Sequence, residues 1–330
     1  MTIYLEDANL DVEERKWLDK AFDEGCLSTR GKLVSEFESR MAEYFNTPDA
    51  VATSSGSMAL RIAFKAMNMN DKCIVRLPVL RFQGAENIIR DFTTNILYSS
   101  IDETTWNMLP RSTYESSFVI PIHMYGNPCD METIMTKACE SNTIVIEDAC
   151  EALGSTLNNQ LMGTFGDLGC FSFNGNKIIT CGSGGLIIGH DKYLLKYCRS
   201  LSRQHPVKGD NGRMNNLSAA VGLAQLQKLQ GFLDKKQYFH DIYTKELSDI
   251  FDFQQEYSEA KSNWWYTAGV SKVSDLKDKM KQTGIPFREV FQNHGLISDG
   301  ICLPCSTKNS GKEIFEVCEA IKDCLTKPSS

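Results

Sequence analysis

The sequence has no run of about 18 apolar residues, so a membrane span is not expected. It has no excess of positive charge either. Its 35 Lys and Arg stand against 42 Asp and Glu, a net charge of −7. That balance argues against a protein that coats nucleic acid or an anionic membrane surface. An anionic small molecule needs only a local basic pocket and stays open. The N-terminal MTIYLEDANLDVEERKW lacks the basic and apolar regions of a signal peptide, so a cytoplasmic location is expected. In that setting the twelve cysteines read as reduced, mostly buried thiols. Cys302 and Cys305 form a CxxC, but no second pair with such spacing accompanies it, and structural thiols are expected rather than a metal site. Internal repeats and low-complexity linkers are also missing.

What is present is a rhythm. Two helical stretches, DVEERKWLDKAFDEG and LVSEFESRMAEYF, come first. Short β-rich runs then alternate with amphipathic helices: AVATS and SMALRIAFKAMNM, CIVRL and FQGAENIIRDF, NILYSS, SFVIPIH and METIMTKACES, TIVIED. This alternation predicts an α/β fold with a mostly parallel sheet covered by helices on both faces. Ligands in such folds gather at the carboxyl ends of the strands, where Ser54, His123 and Asp148 fall. Helical segments follow, KYLLKYCRSLS, NNLSAAVGLAQLQKLQGFLDKK and QYFHDIYTKELSDIF. The strand-like WWYTAGVSKV, the helix DLKDKMKQTG, the strand IPFREVF and a last helix EIFEVCEAIKDCL complete the chain. Residues 1–240 are expected to form a large domain and 241–330 a smaller α/β one, with the preceding helix bridging the two.

Three segments place polar groups where strands end. In TSSGSMALRIA, small hydroxyl residues and Gly56 stand just before a helix whose free N–H groups can bind a phosphate. In VIEDACEALGS, Asp148 follows an apolar run, and a buried carboxylate is costly unless paired. In FSFNGNKIITCGSGG, Lys177 lies between a strand bearing Ser172 and a glycine-rich turn, where an amine can lose solvation and become nucleophilic toward carbonyls. Alone, each has an ordinary alternative: a serine helix cap, a capping aspartate, a solvated loop lysine. Together they match what pyridoxal 5'-phosphate requires: a lysine for its aldehyde, a carboxylate for its ring nitrogen, and N–H and hydroxyl donors for its phosphate.

These motifs carry a resemblance. With GKLVSEFESRMAEYF, PIHMYGNPCDM, GTFGDLGCFSFNGNK, GDNGRMNNLSAAVGLAQLQKL and CLPCST, the sequence resembles the DegT/DnrJ/EryC1/StrS family of nucleotide-sugar aminotransferases along nearly its whole length. The resemblance implies fold type I of the pyridoxal phosphate enzymes, with a seven-stranded-type sheet between helices. It implies that Lys177 carries the cofactor and shuttles the proton, and that Asp148 pairs with the ring nitrogen. Ser57, the Met58 backbone and Ser172 would hold the phosphate, and Phe82 would stack on the ring. Asn211 would reach the phosphate of a neighbouring subunit, making the active site a homodimer property.

Glu151 stands where relatives that aminate C3 of a sugar carry Gln or His. The pattern looks like the branch that aminates C4 of 4-keto-6-deoxy sugars with L-glutamate as donor. UDP-2-acetamido-4-keto sugars are the first substrate expected, and a GDP-perosamine-type substrate is the alternative. Glu151 also has a structural alternative, as a hydrogen-bond acceptor. Arg81 and His205 are candidates for the anionic groups of donor or nucleotide, and Arg288 and His294 are candidate contacts to substrate. The phosphate motif reads SSGS where the family has NSGT, GDNGRM replaces GYNYRM, and the loop before Asn211 is short. Two rivals accompany this expectation: a dehydratase of the same family, in which histidine replaces the lysine, and a catalytically silent sensor or scaffold. No metal, nucleic-acid or membrane partner is expected.

Overall fold

The computed structural model describes residues 2–111, 115–203, 209–291 and 297–326. Helices α1 (Val12–Asp23) and α2 (Lys32–Phe45) open the chain. Asp11 starts α1 with a reciprocal cap: its side chain accepts from the Glu13 N–H, and its own N–H donates to Glu14. Next come β1 (Ala50–Thr53), α3 (Gly56–Ala66), β2 (Val75–Pro78), α4 (Gln83–Arg90), β3 (Ile96–Ser99), β4 (Phe118–Val119), α5 (Met131–Glu140) and β5 (Ile144–Asp148). A hairpin of β6 (Thr156–Leu157) and β7 (Gln160–Leu161) leads to β8 (Leu168–Ser172), β9 (Gly185–Ile188), α6 (Lys192–Leu201) and α7 (Asn216–Leu247). The remaining elements are β10 (Phe251–Phe253), β11 (Ala260–Lys261), β12 (Ala268–Ser271), α8 (Leu276–Thr283), β13 (Arg288–Glu289), β14 (Gly300–Cys302) and α9 (Gly311–Thr326).

The seven-stranded sheet has the order β1-β9-β8-β5-β4-β2-β3. Its β8-β5-β4-β2-β3 stretch is parallel, and β9 runs antiparallel to both β8 and β1. Strands β1, β2 and β9 are buried at every residue, as expected of strands with both faces covered. Because β9 reverses between them, β1 and β8 point the same way as β5. The carboxyl ends of all three therefore meet at one edge, where Asp148 ends β5 and Ser172 ends β8. Register strengthens this: Ser172 and Thr53 both pair with Gly185. A Cβ on Gly185 would lie 2.3 Å from the Ser55 carbonyl oxygen, so only glycine lets β9 pass beneath the start of α3.

A second, antiparallel sheet, β10-β12-β14-β13, packs with α7, α8 and α9 around a separate apolar cluster that includes Phe239, Tyr243, Leu303 and Val317. The two helical stretches NNLSAA…DKK and QYFH…DIF are one helix, α7, started by Asn215, which accepts from the Ser218 N–H. Nothing between them breaks a helix, so the chain carries its helical pattern from one core into the other. WWYTAGVSKV is a strand only over Ala268–Ser271. Trp264 adopts a left-handed φ of 47°, and its indole N–H donates to Gln237 on α7, which takes this residue out of any ladder. No helix among the described residues is long and apolar enough to cross a membrane.

The two cores are tied by a buried ion pair. The Lys236 ammonium on α7 donates to both Glu6 oxygens (2.7 and 2.9 Å) and to the Trp265 carbonyl (2.9 Å). Cys305 of the CxxC adds its thiol to Glu6 at 3.0 Å, and both Cys302 and Cys305 are buried free thiols. Lys236→Met would strand the Glu6 carboxylate. Removing one partner of a buried pair costs about 3–5 kcal/mol, so the urea midpoint should fall with the slope unchanged. Adding Glu6→Gln should recover part of that loss. Equal midpoints for wild type and Lys236→Met would show the pair to be energetically idle.

Candidate active site

The strand-end edge opens into a cavity of about 440 Å³. Ser57, Phe82, Asp148, Glu151, Ser172, Lys177 and Arg288 all line it. One wall is the start of α3. Ser55 caps that helix, its Oγ accepting from the Met58 N–H at 3.1 Å. The first N–H groups of a helix lack intrahelical acceptors and carry the positive end of its dipole. Gly56 lets this terminus come close: an added Cβ would stand 2.7 Å from the Ser172 Cβ and 2.9 Å from the Cys150 sulfur. Gly56→Ala should therefore push α3 off the strand end. Overpacking of this kind costs about 1–3 kcal/mol, here read as weaker phosphate binding in a cofactor titration, with far-UV circular dichroism unchanged. Unaltered affinity would show that the contact gives way freely.

Asp148 is 4% exposed, and its Oδ1 accepts one N–H, from Cys150 at 3.2 Å. Burial raises its carboxyl above the ordinary aspartate value, opposed more weakly by hydrogen bonds from Cys150 and then by the Lys177 charge. Behind it, His123 and Glu147 are both fully buried. Glu147 accepts from the N–H groups of Gly163, Phe165 and Gly166, each at 2.7 Å. The Cys129 N–H points at His123 Nδ1 (3.1 Å), so the imidazole proton sits on Nε2 and is donated to Glu147 at 3.0 Å. This lattice fixes the turn after β4, where the His123 N–H donates to the Asp148 carbonyl.

Lys177 lies in the turn between β8 and β9. Its Nζ is 3.8 Å from Glu151 Oε1 and 3.6 Å from the centroid of the Trp265 ring. Glu151 Oε2 accepts from the Tyr125 N–H at 2.8 Å. That N–H is aimed by a left-handed backbone at Tyr125 (φ 57°, ψ 22°), an uncommon state for a buried aromatic residue. Burial raises the Glu151 carboxyl above its ordinary value, and the Lys177 cation opposes the shift.

Other residues are placed differently from expectation. Arg81 is not in the cavity wall: its guanidinium is buried against Glu86, donates to the Val79 carbonyl at 2.6 Å, and lies over the Tyr98 ring. It is thus spent on holding the β2–α4 turn. The Met58 N–H, expected in the phosphate cradle, is already engaged by Ser55, which leaves the cradle to the N–H groups before it and to the hydroxyls of Ser57 and Ser172. Asn211, with a left-handed φ of 49°, lines a different hollow of about 630 Å³ beside Arg30, Arg203 and Arg213, outside the Lys177 cavity of its own chain. His205 and His294 lie outside the described residues. Arg288 does face the cavity, with its guanidinium over the Phe291 ring. Trp265 had no signal in the sequence beyond an apolar run.

Pyridoxal phosphate fits these residues. Burial raises the Asp148 carboxyl, a cost that a protonated ring nitrogen beside it would offset. The Gly56 contact makes an anion cradle beside Ser172, and the half-exposed Phe82 ring offers a stacking face. Fold and site thus define a pyridoxal phosphate-dependent aminotransferase. A sequence profile of the DegT/DnrJ/EryC1/StrS aminotransferase family matches residues 8–301, and the chain belongs to that family. The chain is 30% identical to a GDP-perosamine synthase of Escherichia coli O157:H7, over 96% of each chain. It is 28% identical to a UDP-4-amino-4,6-dideoxy-N-acetyl-beta-L-altrosamine transaminase of Campylobacter jejuni, over 72% of this chain and 68% of the other. A DegT DnrJ EryC1 StrS aminotransferase from Brucella abortus shares the fold, with a TM-score of 0.89, 21% identity and 96% of each chain covered. This is an enzyme of nucleotide-sugar chemistry.

Proposed function

We propose that the enzyme moves an amino group from L-glutamate to the C4 keto carbon of a nucleotide-linked 4-keto-6-deoxy sugar. The observation that carries this is one cavity holding a lysine amine beside Glu151, a buried Asp148 whose carboxyl burial raises, and a helix N-terminus at Gly56. Asp148 would hold the cofactor ring nitrogen, Ser57 and Ser172 the phosphate, Phe82 one ring face and Lys177 the aldehyde carbon. When bound, the cofactor supplies an electron sink for the carbon that loses its proton. Lys177 takes that proton from the donor's α-carbon and, in the second half of the cycle, delivers one to sugar C4. Glu151 steadies the amine between these tasks. The Arg288 guanidinium supports recognition of a carboxylate or pyrophosphate in the same cavity. That Asn211 lies away from the Lys177 cavity of its own chain supports a homodimer in which it serves the partner's site.

Among sugars, a GDP-linked 4-keto-6-deoxymannose moves to first place. The Escherichia coli relative, named GDP-perosamine synthase, aligns over 96% of each chain. The UDP-linked 2-acetamido keto sugar becomes the second reading, supported by the shorter match to the Campylobacter enzyme. The cofactor-loaded protein should be given L-glutamate and each keto sugar in turn, with the amino sugar and 2-oxoglutarate measured by mass spectrometry. Amination of the GDP sugar at C4 is the expected result. Failure of both sugars in protein that turns glutamate into 2-oxoglutarate would overturn the substrate class.

A further inference from the structure

We propose that Trp265 is a positioning residue for Lys177: its indole face and the Glu151 carboxylate together form a resting place for the lysine ammonium whenever the cofactor does not hold that amine. The proposal rests on Lys177 being the cofactor-bearing lysine. Trp265 arrives from the far side of the chain, between β11 and β12, yet one loop uses both of its functional features. The indole N–H donates to the Asn176 carbonyl at 2.5 Å, fixing the residue just before Lys177. The ring face then lies under Nζ at 3.6 Å. A ring that only filled space would need neither.

The face and the carboxylate share one foundation. Trp265 stacks on Tyr125 (centroids 6.2 Å apart, planes 26° from parallel), and the Tyr125 N–H holds Glu151 Oε2. The Trp265 backbone is gripped at both ends, its N–H by Asn263 Oδ1 (2.8 Å) and its carbonyl by Lys236 and Cys305. The ring therefore cannot drift when the amine leaves it. Transamination requires the lysine to be released and to return within every cycle. A free lysine has a flexible four-carbon stem, and a cation over a desolvated indole face is attracted by the ring quadrupole. The resting place keeps the amine near the cavity during the half of the cycle in which it is free.

Cofactor-free wild type, Trp265→Phe, Trp265→Leu and Glu151→Gln would be acetylated briefly with an N-hydroxysuccinimide ester, and the Lys177 peptide quantified by mass spectrometry. Exposed Lys192 provides the internal standard. Labelling of Lys177 should rise in the order wild type, Phe, Leu, by roughly 2- to 30-fold at the extreme, and should also rise in Glu151→Gln. The return of the lysine, followed as visible absorbance after pyridoxal phosphate is added, should slow in the same order. Equal rates for Phe and Leu would mean that only the indole N–H matters, and wild-type rates in both would mean that neither feature does; each result overturns the proposal. Trp265→Phe keeps an aromatic plug, so the comparison survives if Trp265→Leu fails to fold. Borohydride reduction of the loaded wild type separates the two levels of argument. Pyridoxyl on another lysine defeats the functional assignment itself, whereas pyridoxyl on Lys177 with unchanged labelling in the variants defeats only the role of Trp265.

Discussion

Lys177→Ala should give a folded protein whose turnover falls by at least about 10²–10⁴-fold, the range that one positioned proton-transfer group contributes. The fold should survive because little of it hangs on this side chain. The Nζ contacts Glu151 and the Trp265 ring, while the loop is held by its own backbone: the Lys177 N–H donates to the Asn174 carbonyl and the Asn176 carbonyl accepts from Trp265. One neighbour does change. Glu151 is already raised by burial, and the lysine is the main cation opposing that shift, so the variant's Glu151 should hold its proton to still higher pH. Cofactor should still bind, through Asp148, Ser57 and Ser172, but without a covalent link. Borohydride followed by peptide mapping should tag Lys177 in wild type and nothing in the variant. Turnover that survives the substitution, in protein free of wild-type contamination, would remove Lys177 from its role.

The sequence announced this site unevenly, and the reasons are physical. Ser57, Asp148 and Ser172, which the fold brings to one cavity with Lys177, were conspicuous because each stands at a strand end or a helix start, and Lys177 because it sits in the glycine-rich turn between β8 and β9. The parallel sheet was visible for a similar reason, as short buried strands alternating with helices. Arg81 misled because an arginine beside an apolar run looks like a free cation; Glu86, inside the following helix, neutralises it. Trp265 could not be found: in WWYTAGV an indole that serves the lysine and one that fills the core are written alike, and only the tertiary fold brings it to Asn176. Asn211 shows the limit of one chain, because its own fold turns it into a hollow lined by arginines. The unity of α7 needed only closer attention to the absence of a breaker between Lys236 and Gln237.

Asp148→Asn should have opposite effects on catalysis and on the stability of the empty protein. On the proposed arrangement the carboxylate would hold a cationic ring nitrogen once the cofactor is bound. Two unit charges about 4 Å apart attract by about 4 kcal/mol at an effective dielectric of about 20, or about a thousandfold, which is the loss expected in kcat/KM. The asparagine cannot keep the ring nitrogen protonated, so the electron sink weakens as well as the grip. In the cofactor-free protein the same carboxylate is a burden. Burial raises its folded-state pKa above the ordinary value of 3.8, so from that pH upward the native state holds a proton that the unfolded chain has released. Stability therefore declines as pH rises through the folded pKa, and the asparagine, which has no charge to bury, escapes this decline. Melting curves of cofactor-free protein from pH 4 to 8 should show Asp148→Asn matching wild type at the acid end and exceeding it at neutral pH. Added pyridoxal phosphate should reverse the ranking, since wild type alone gains the ion pair. A variant less stable than wild type at neutral pH without cofactor would mean that Asp148 holds the fold together through its bond from Cys150 and does not wait for a cation.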